Sequence, residues 1–465
     1  MTKAAPMAAE TYLQTTYVAT KRGEVTEMSL IRRRTLGALC AVATGALVLA
    51  AYSGGAAAKP AAHTAAGSIT FAQVNDFTGV GSAVVPYQNA SQLSALYDIN
   101  AAGGVLGNKV NDATIDTKSD PADGVLALNR ALAVSHIVAV SGPSTIQAAA
   151  LVPILQRAKI ITLCGCGNPE FDRSTDPFFW RFFPPDPVGG ETMALDAHQL
   201  HYTRVAAVFG TDTGSQGDLP GVLGGVKAEK LNLVANIGLT PDQTSYRTQV
   251  SQLIAAKPQV IFTETDGPTA ATFFGELKQL GTLPQIFGTN ATLQTPYLKA
   301  LAAAIGTSNL GKDYQVQATA PSPVGSKAAQ AAADAYNNGI RHVASHLPSP
   351  GSQWLNNSFV ESNYDSVILT ALAMTAAKST DPVVADPWIG KISTPGTGKT
   401  TVYTYPQGVA AVKAGKQILY VGASGPIKFD KWHNSFGDQA MDKVSTTGPV
   451  LSTKLFTAAQ IQKLG

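Results

Sequence analysis

The sequence predicts an α/β protein of two successive doubly wound, Rossmann-like lobes, and three observations predict it. From Ser68 onward, short apolar runs of strand length alternate with helical stretches. At 465 residues the chain is too long for one ordinary compact core. The segments after the apolar runs are rich in Gly, Ser, Thr and Asn, as loops at strand ends are. With 45% hydrophobic and 14% charged residues, the composition is that of a globular chain with a large core. The net charge of +3, from 34 basic and 31 acidic residues, is not gathered into a basic field, which argues against a nucleic-acid partner.

At the N-terminus, Arg32, Arg33 and Arg34 precede the apolar run Leu36 to Ala51, followed by small residues and Lys59-Pro60. A basic segment, a short apolar segment and a small-residue segment in that order describe a secretory signal. The apolar run is shorter than the roughly 20 residues that span a bilayer comfortably. Residues 1–58 are therefore expected to be an extension and signal segment, cleaved or retained as an anchor. The protein is expected to be exported, and to be secreted or held at the cell envelope. Leu49 to Gly55 resembles a lipobox with Tyr52 where the lipid-bearing cysteine belongs, and tyrosine has no thiol to acylate. A chance alanine-rich stretch explains the same residues.

Ile69 to Val74 reads as the first strand and Pro86 to Asn100 as an amphipathic helix. His136 to Val140 is the next apolar run, followed by a helix through Ala148, Leu151 and Leu155, and then by a strand over Ile160 to Leu163. The alternation resumes at Val205 to Phe209, Val234 to Ile237, Val260 to Thr263 and Ile286-Phe287. Apolar runs separated by helices mark parallel βαβ units with both sheet faces covered. The two series occupy 68–186 and 187–312. Beyond them, Lys327 to Asn338 and Tyr364 to Ala377 read as helices. Residues 378–415, rich in Pro, Gly and Thr, read as an irregular extension.

In doubly wound sheets ligands bind beyond the carboxyl ends of strands. The loops there are Gly142 to Thr145, Cys164 to Asn168, Gly210 to Gly217, Thr265 to Pro268 and Thr289-Asn290. Enzymatic chemistry finds no support in them. Cys164-Gly165-Cys166 lacks a second pair of metal ligands, and a bond across one glycine is expected to be strained rather than structural. His198 and His201, three apart on a helix, read as surface residues. Gly396 to Thr400 lacks the glycine spacing of a phosphate-binding loop. No metal or cofactor is implied.

Tyr97-Asp98-Ile99-Asn100-Ala101-Ala102-Gly103-Gly104-Val105-Leu106-Gly107-Asn108-Lys109 resembles the helix-to-turn segment of the leucine/isoleucine/valine-binding family, the type I periplasmic binding proteins of ABC importers. Asp120-Pro121 before a helix, and Gly425-Pro426-Ile427 with Phe429-Asp430, resemble two further segments of that family. The resemblance runs from about Ser68 to Asp430. It implies two lobes joined by three hinge crossings that close on a small polar solute: an amino acid, an amide or a related metabolite. Lobe 1 would comprise 68–186 and 313–425, lobe 2 would comprise 187–312, and 426–465 would cross back. The partners implied are the solute and the permease subunits, with the protein a monomer and not an enzyme.

By the same resemblance, Ser144 and Thr145 occupy the place where lobe 1 holds a ligand carboxylate, a helix start with free backbone donors. Thr145 acting only as a helix cap is the other reading. Cys166 and Asn168 would line the cleft. Lobe 2 departs from the pattern: Gly214 follows no aromatic residue, Asp266 stands at a second aromatic position, and Asn290 replaces the acid that pairs with an amino group. Asp266 either supplies that charge or is a solvated turn residue. Two function classes remain open, solute capture for an importer and a sensing or protein-interaction module of the same fold.

Overall fold

The apolar runs become strands of two separate sheets. The computed structural model describes residues 67–79, 81–82, 85–319, 327–348, 351–355, 357–446 and 448–464. The expected signal segment, with its lipobox-like stretch, lies outside the described residues.

The first sheet is built from β1 (Ser68–Asn75), α1 (Val85–Ala101), β2 (Lys109–Asp116), α2 (Pro121–Val134), β3 (Ile137–Ser144), α3 (Thr145–Arg157), β4 (Ile161–Gly165) and β5 (Phe179–Arg181). Its strand order is β2-β1-β3-β4-β5, with every pair parallel. The chain then enters the second sheet through α4 (Asp186–Gln199), β6 (Arg204–Gly210), α5 (Leu219–Ala228), β7 (Asn232–Leu239), α6 (Arg247–Ala256) and β8 (Val260–Glu264). It continues through α7 (Gly267–Leu280), β9 (Gln285–Gly288), α8 (Thr295–Ile305), α9 (Thr307–Asp313) and β10 (Tyr314–Thr319). β10 pairs parallel with β9, so the second sheet takes in residues past 312, where the sequence placed the end of that half.

The chain returns to the first half with α10 (Lys327–Val343), α11 (Ser358–Ala377), α12 (Pro382–Ser393), β11 (Thr400–Val402), α13 (Tyr405–Lys413) and β12 (Ile418–Tyr420). It ends in the second half with β13 (Gln439–Ser445), β14 (Gly448–Phe456) and α14 (Ala458–Ile461). The second sheet runs β14-β13-β10-β9-β8-β6-β7, and its last two strands are antiparallel.

Each sheet is covered on both faces, as parallel strands require. One face of the first sheet packs Phe71, Ala139 and Leu163 against α1, α10 and α11. Its other face packs Val74, Ile115 and Val140 against Leu128, Leu151 and Leu155 of α2 and α3. The second sheet buries Ile261 and Ile286 under Phe273, Leu298 and Leu301, and Val205, Phe209 and Phe262 under Met193 and Val222. The turn after α1 follows the sequence: Gly103 and Gly104 take φ of 95° and 72°, left-handed values that cost glycine little.

The expected irregular extension at 378–415 is instead ordered, and its prolines explain why. Pro382 and Pro406 sit in the first turns of α12 and α13, where a missing N–H removes no helical bond. Asp381 and Thr404 cap those helices. A composition that reads as loop is here the composition of helix starts.

Asp365 of α11 ties β12 and the residues after it to the core. Fully buried, its carboxylate accepts from the Tyr420 hydroxyl at 2.7 Å, the Ala423 and Ser424 backbone N–H groups at 3.0 and 2.7 Å, and the Ser424 hydroxyl at 2.5 Å. Asp365→Ala strands those buried donors and is expected to cost roughly 3 kcal/mol or more in urea unfolding. A cost below about 1 kcal/mol would show that water replaces the carboxylate.

Candidate functional site

The carboxyl-end loops of the two sheets meet. The Tyr87 hydroxyl of α1 is hydrogen-bonded to Thr295 at the start of α8. The Asp186 backbone N–H, at the start of α4, donates to the Gly167 carbonyl at 3.0 Å. The Asp186 side chain fits between two glycines of opposite halves. A Cβ on Gly167 would lie 1.4 Å from one carboxylate oxygen, and a Cβ on Gly217 would lie 2.1 Å from the other. No side chain can stand at either position without displacing Asp186.

A cavity of about 30 Å³ lies between the halves. Tyr87, Asn357 and Phe359 line it from the first half, Asn290, Leu293, Gln294 and Ala318 from the second, and Phe183 from the crossing. Phe359 is in ring contact with both Tyr87 and Phe183, at 6.0 and 4.8 Å between centroids. The space suits one water molecule.

The structure distributes the expected site residues unevenly. Ser144 is the N-cap of α3, and its hydroxyl donates to the Asp76 carboxylate at 2.7 Å rather than to its own helix. Thr145 opens the helix, half-buried, and its carbonyl accepts from the Asn168 amide at 3.1 Å. Asn168 in turn offers its own carbonyl to Arg181 at 3.1 Å. Gly214 lies in the turn after β6, its carbonyl accepting from the Gly217 N–H at 3.1 Å. Asp266 caps α7, accepting from the Thr269 N–H at 2.9 Å. Asn290 is exposed and lines the interlobe cavity.

Cys166 requires a correction. It forms a disulfide with Cys164, a pairing the sequence reading disfavoured, with the two Cα atoms 5.2 Å apart. Alternate residues of a strand point to one face, and β4 ends at Gly165 between them, so the Cα separation falls within the usual disulfide range.

The acids that matter most are ones the sequence reading passed over. Glu264 ends β8, Asp218 precedes α5, and both are buried and hydrogen-bonded to one another. Thr289 donates to Glu264 at 2.6 Å. Burial pushes Glu264 up to about 8, with Asp186 and Asp212 adding repulsion and the Thr289 and Asp218 bonds partly offsetting it. Burial likewise pushes Asp186 up to about 7 and Asp218 well above the carboxylate range. On the facing side, Asp76 accepts from the Thr117 hydroxyl at 2.5 Å as well as from Ser144. The available signal for Glu264 was an acid closing an apolar strand run, Val260 to Thr263. Asp76 carried no such signal, because an acid in a turn is ordinarily solvated.

Comparison with known proteins agrees with this geometry. A family model described as periplasmic binding protein matches residues 68–386. An amino acid binding protein of Pseudomonas aeruginosa is 26% identical over 201 residues, which cover 42% of this chain and 52% of that one. The match thus spans about half the length of that relative. A branched-chain amino acid ABC transporter protein of Thermus thermophilus, solved with bound valine, superposes with a TM-score of 0.67 at 13% identity, covering 86% of this chain and 99% of that one. A leucine binding protein of Thermotoga maritima gives 0.65 at 16% identity, covering 84% and 99%. At such identities the superpositions establish the fold alone.

Two outcomes follow from the site. Iodoacetamide applied to the unfolded, unreduced protein is expected to leave Cys164 and Cys166 unmodified and to label both after dithiothreitol; labelling before reduction would remove the disulfide. The raised carboxyls give the second. The folded state keeps protons that an unfolded glutamate loses near pH 4.3. Their stabilising contribution is therefore complete below that pH and is lost as pH rises towards 8. Glu264→Gln is expected to flatten the fall in unfolding midpoint between pH 5 and 8, and to raise the midpoint at pH 8 by a few degrees. An unchanged slope would assign the titration to other groups.

Proposed function

The chain belongs to the periplasmic binding protein family, and from that premise we propose that it is the extracytoplasmic solute-capturing component of an ABC importer. It would hold a small polar solute between its two lobes and present the closed form to permease subunits, without catalysing a reaction. The observation that carries this reading is the cavity lined from both halves, with Phe183 at the crossing, Asn290 from the second half, and Tyr87, Asn357 and Phe359 from the first. A single-core protein has no reason to keep a two-sided cavity over a crossing.

The lobes we propose are the first sheet with α10 to β12, and the second sheet with β13 to α14. They are joined after β5, after β10 and between β12 and β13. Solute contacts bridging both lobes would favour the closed arrangement, since a ligand shifts a conformational equilibrium only by its differential affinity for the two states. Thr145 and Asn168 would meet the solute from the first lobe, and Gly214 and Asn290 from the second. Ser144 and Asp266 reach it only indirectly, because their side chains are engaged with Asp76 and with the α7 backbone.

The test is thermal unfolding of the protein, freed of carried-over ligand, against amino acids, amides, amines and small carboxylates. A ligand at about 1,000 times its dissociation constant adds roughly 4 kcal/mol to stability. One compound class is expected to raise the midpoint, and Asn290→Ala to weaken that shift at least tenfold. A flat response to every class would sink the capture reading.

A further inference from the structure

On the reading that this cleft holds a solute, we infer that the solute is an organic cation rich in hydrogen-bond donors and lacking a carboxylate, an amine or amidine rather than an α-amino acid. The argument starts from which polar groups of the cleft are already spent. A ligand carboxylate needs donors, and the Ser144, Thr117 and Thr78 hydroxyls at the strand ends of the first lobe are committed to the chain's own acids. Ser144 and Thr117 donate to the two oxygens of Asp76 at 2.7 and 2.5 Å. The Thr78 hydroxyl and N–H donate to Asp116 at 2.8 and 3.1 Å. An incoming carboxylate would therefore meet Asp76, a like charge, at the position where a donor is required.

Several buried acceptors on that side have no partner. Asn75 Oδ1, Gln88 Oε1 and Asn168 Oδ1 have no partner, although their residues are only 0%, 4% and 8% exposed. Two of these orientations are fixed, because the Asn75 amide donates to the Ser141 carbonyl and the Asn168 amide to the Thr145 carbonyl. Gln88 reaches across to the end of β4, its amide 2.7 Å from where a Gly165 Cβ would stand. Gln147 completes the set by proton counting. Ser144 lies within reach of both Asp76 and Gln147 Oε1, yet a hydroxyl has one hydrogen. The charged acceptor takes it, so Gln147 must turn its NH₂ to the Ser144 oxygen and leave its own oxygen free. Buried acceptors without donors are costly, and a donor-rich ligand removes that cost.

The second lobe adds carboxyls that a cation can draw into ionisation. Asp186, Asp218 and Glu264 gather at its edge, with Asp212 close enough to act on Glu264. Two cations on the loops of the first lobe are already paired. Arg181 lies 2.8 Å from Asp172, and Lys118 lies 3.4 Å from Asp123. Burial holds protons on Asp218 and Glu264 near neutral pH, and a cationic solute placed beside them would favour their ionised forms.

The experiment measures unfolding midpoints of the protein with butylamine, 1,4-diaminobutane, butylguanidine, valinamide, valine and isobutyrate. The amines, the guanidine and valinamide are expected to raise the midpoint, while valine and isobutyrate leave it unchanged. Asp76→Asn and Glu264→Gln, made separately because either could disturb folding, are each expected to weaken amine binding at least tenfold. A shift with valine or isobutyrate and none with the amines would overturn the cation assignment while leaving solute capture intact. Amine shifts equal in wild type and both variants would overturn it as well, by placing the amine elsewhere. No shift with any probe would remove the capture reading and this inference together.

Discussion

One buried guanidinium holds the loop after β4 and the crossings between the two halves together. Arg181 ends β5, the last strand of the first sheet, and has no exposed surface. Removing a guanidinium from water costs several kcal/mol, which only close, well-aligned partners offset. Asp172 supplies charge at 2.8 Å, and the carbonyls of Gly167 and Asn168 accept at 3.4 and 3.1 Å. The backbone of the same residue joins the first crossing to the third. Its N–H donates to the His433 carbonyl at 3.0 Å, and its carbonyl accepts from the Ser435 N–H at 2.9 Å. His433 stacks flat on Trp180, one residue before it, with ring centroids 3.8 Å apart. One residue thus fixes the loop after β4 and clamps two crossings into a common ribbon.

The cleft inherits its shape from that clamp. With the Gly167 and Asn168 carbonyls held, the disulfide of Cys164 and Cys166 lies on one side of Gly167 and the Asn168 amide on the other. Gly167 then has room only for the Asp186 carboxylate, which Gly217 closes from the second half. Asp186 in turn repels Asp218 and Glu264. Acids buried together weaken a fold unless function retains them, and active and binding sites are where proteins keep such groups. The carboxyls are therefore better explained by what they will meet than by what they hold together.

The fold was legible from the sequence to the extent that it rests on period and length. β1, β3, β4, β6 and β8 are buried parallel strands and read as short, mostly apolar runs. β5 is three residues long and β13 carries Asp442 and Lys443, so neither announces itself by pattern. α12 and α13 were hidden by prolines, Pro382 and Pro406 in their first turns and Pro387 within α12. The site was legible in position and illegible in chemistry. Loops at strand ends could be listed at sight, yet which acid is solvated and which is buried depends on contacts made by residues far apart in the chain. Asp266 and Glu264 stand two residues apart, and one caps a helix while the other is sealed against Asp218 and Thr289.

That separation has a physical basis. The location of a binding cleft in this architecture is set by backbone, because strand ends and helix N-termini converge whatever side chains they carry. The chemistry is set by a few side chains at those ends and can change without disturbing the frame. Asp76 shows how small the change is. It follows the last residue of β1 and accepts from Thr117 and Ser144, groups held in place by neighbouring elements of the first sheet. One carboxylate there converts donors that would greet an anion into donors already satisfied. It also leaves the nearby amide oxygens as the groups in need of partners. The frame is shared with proteins that carry amino acids, and the polarity of the cleft is a property of this chain.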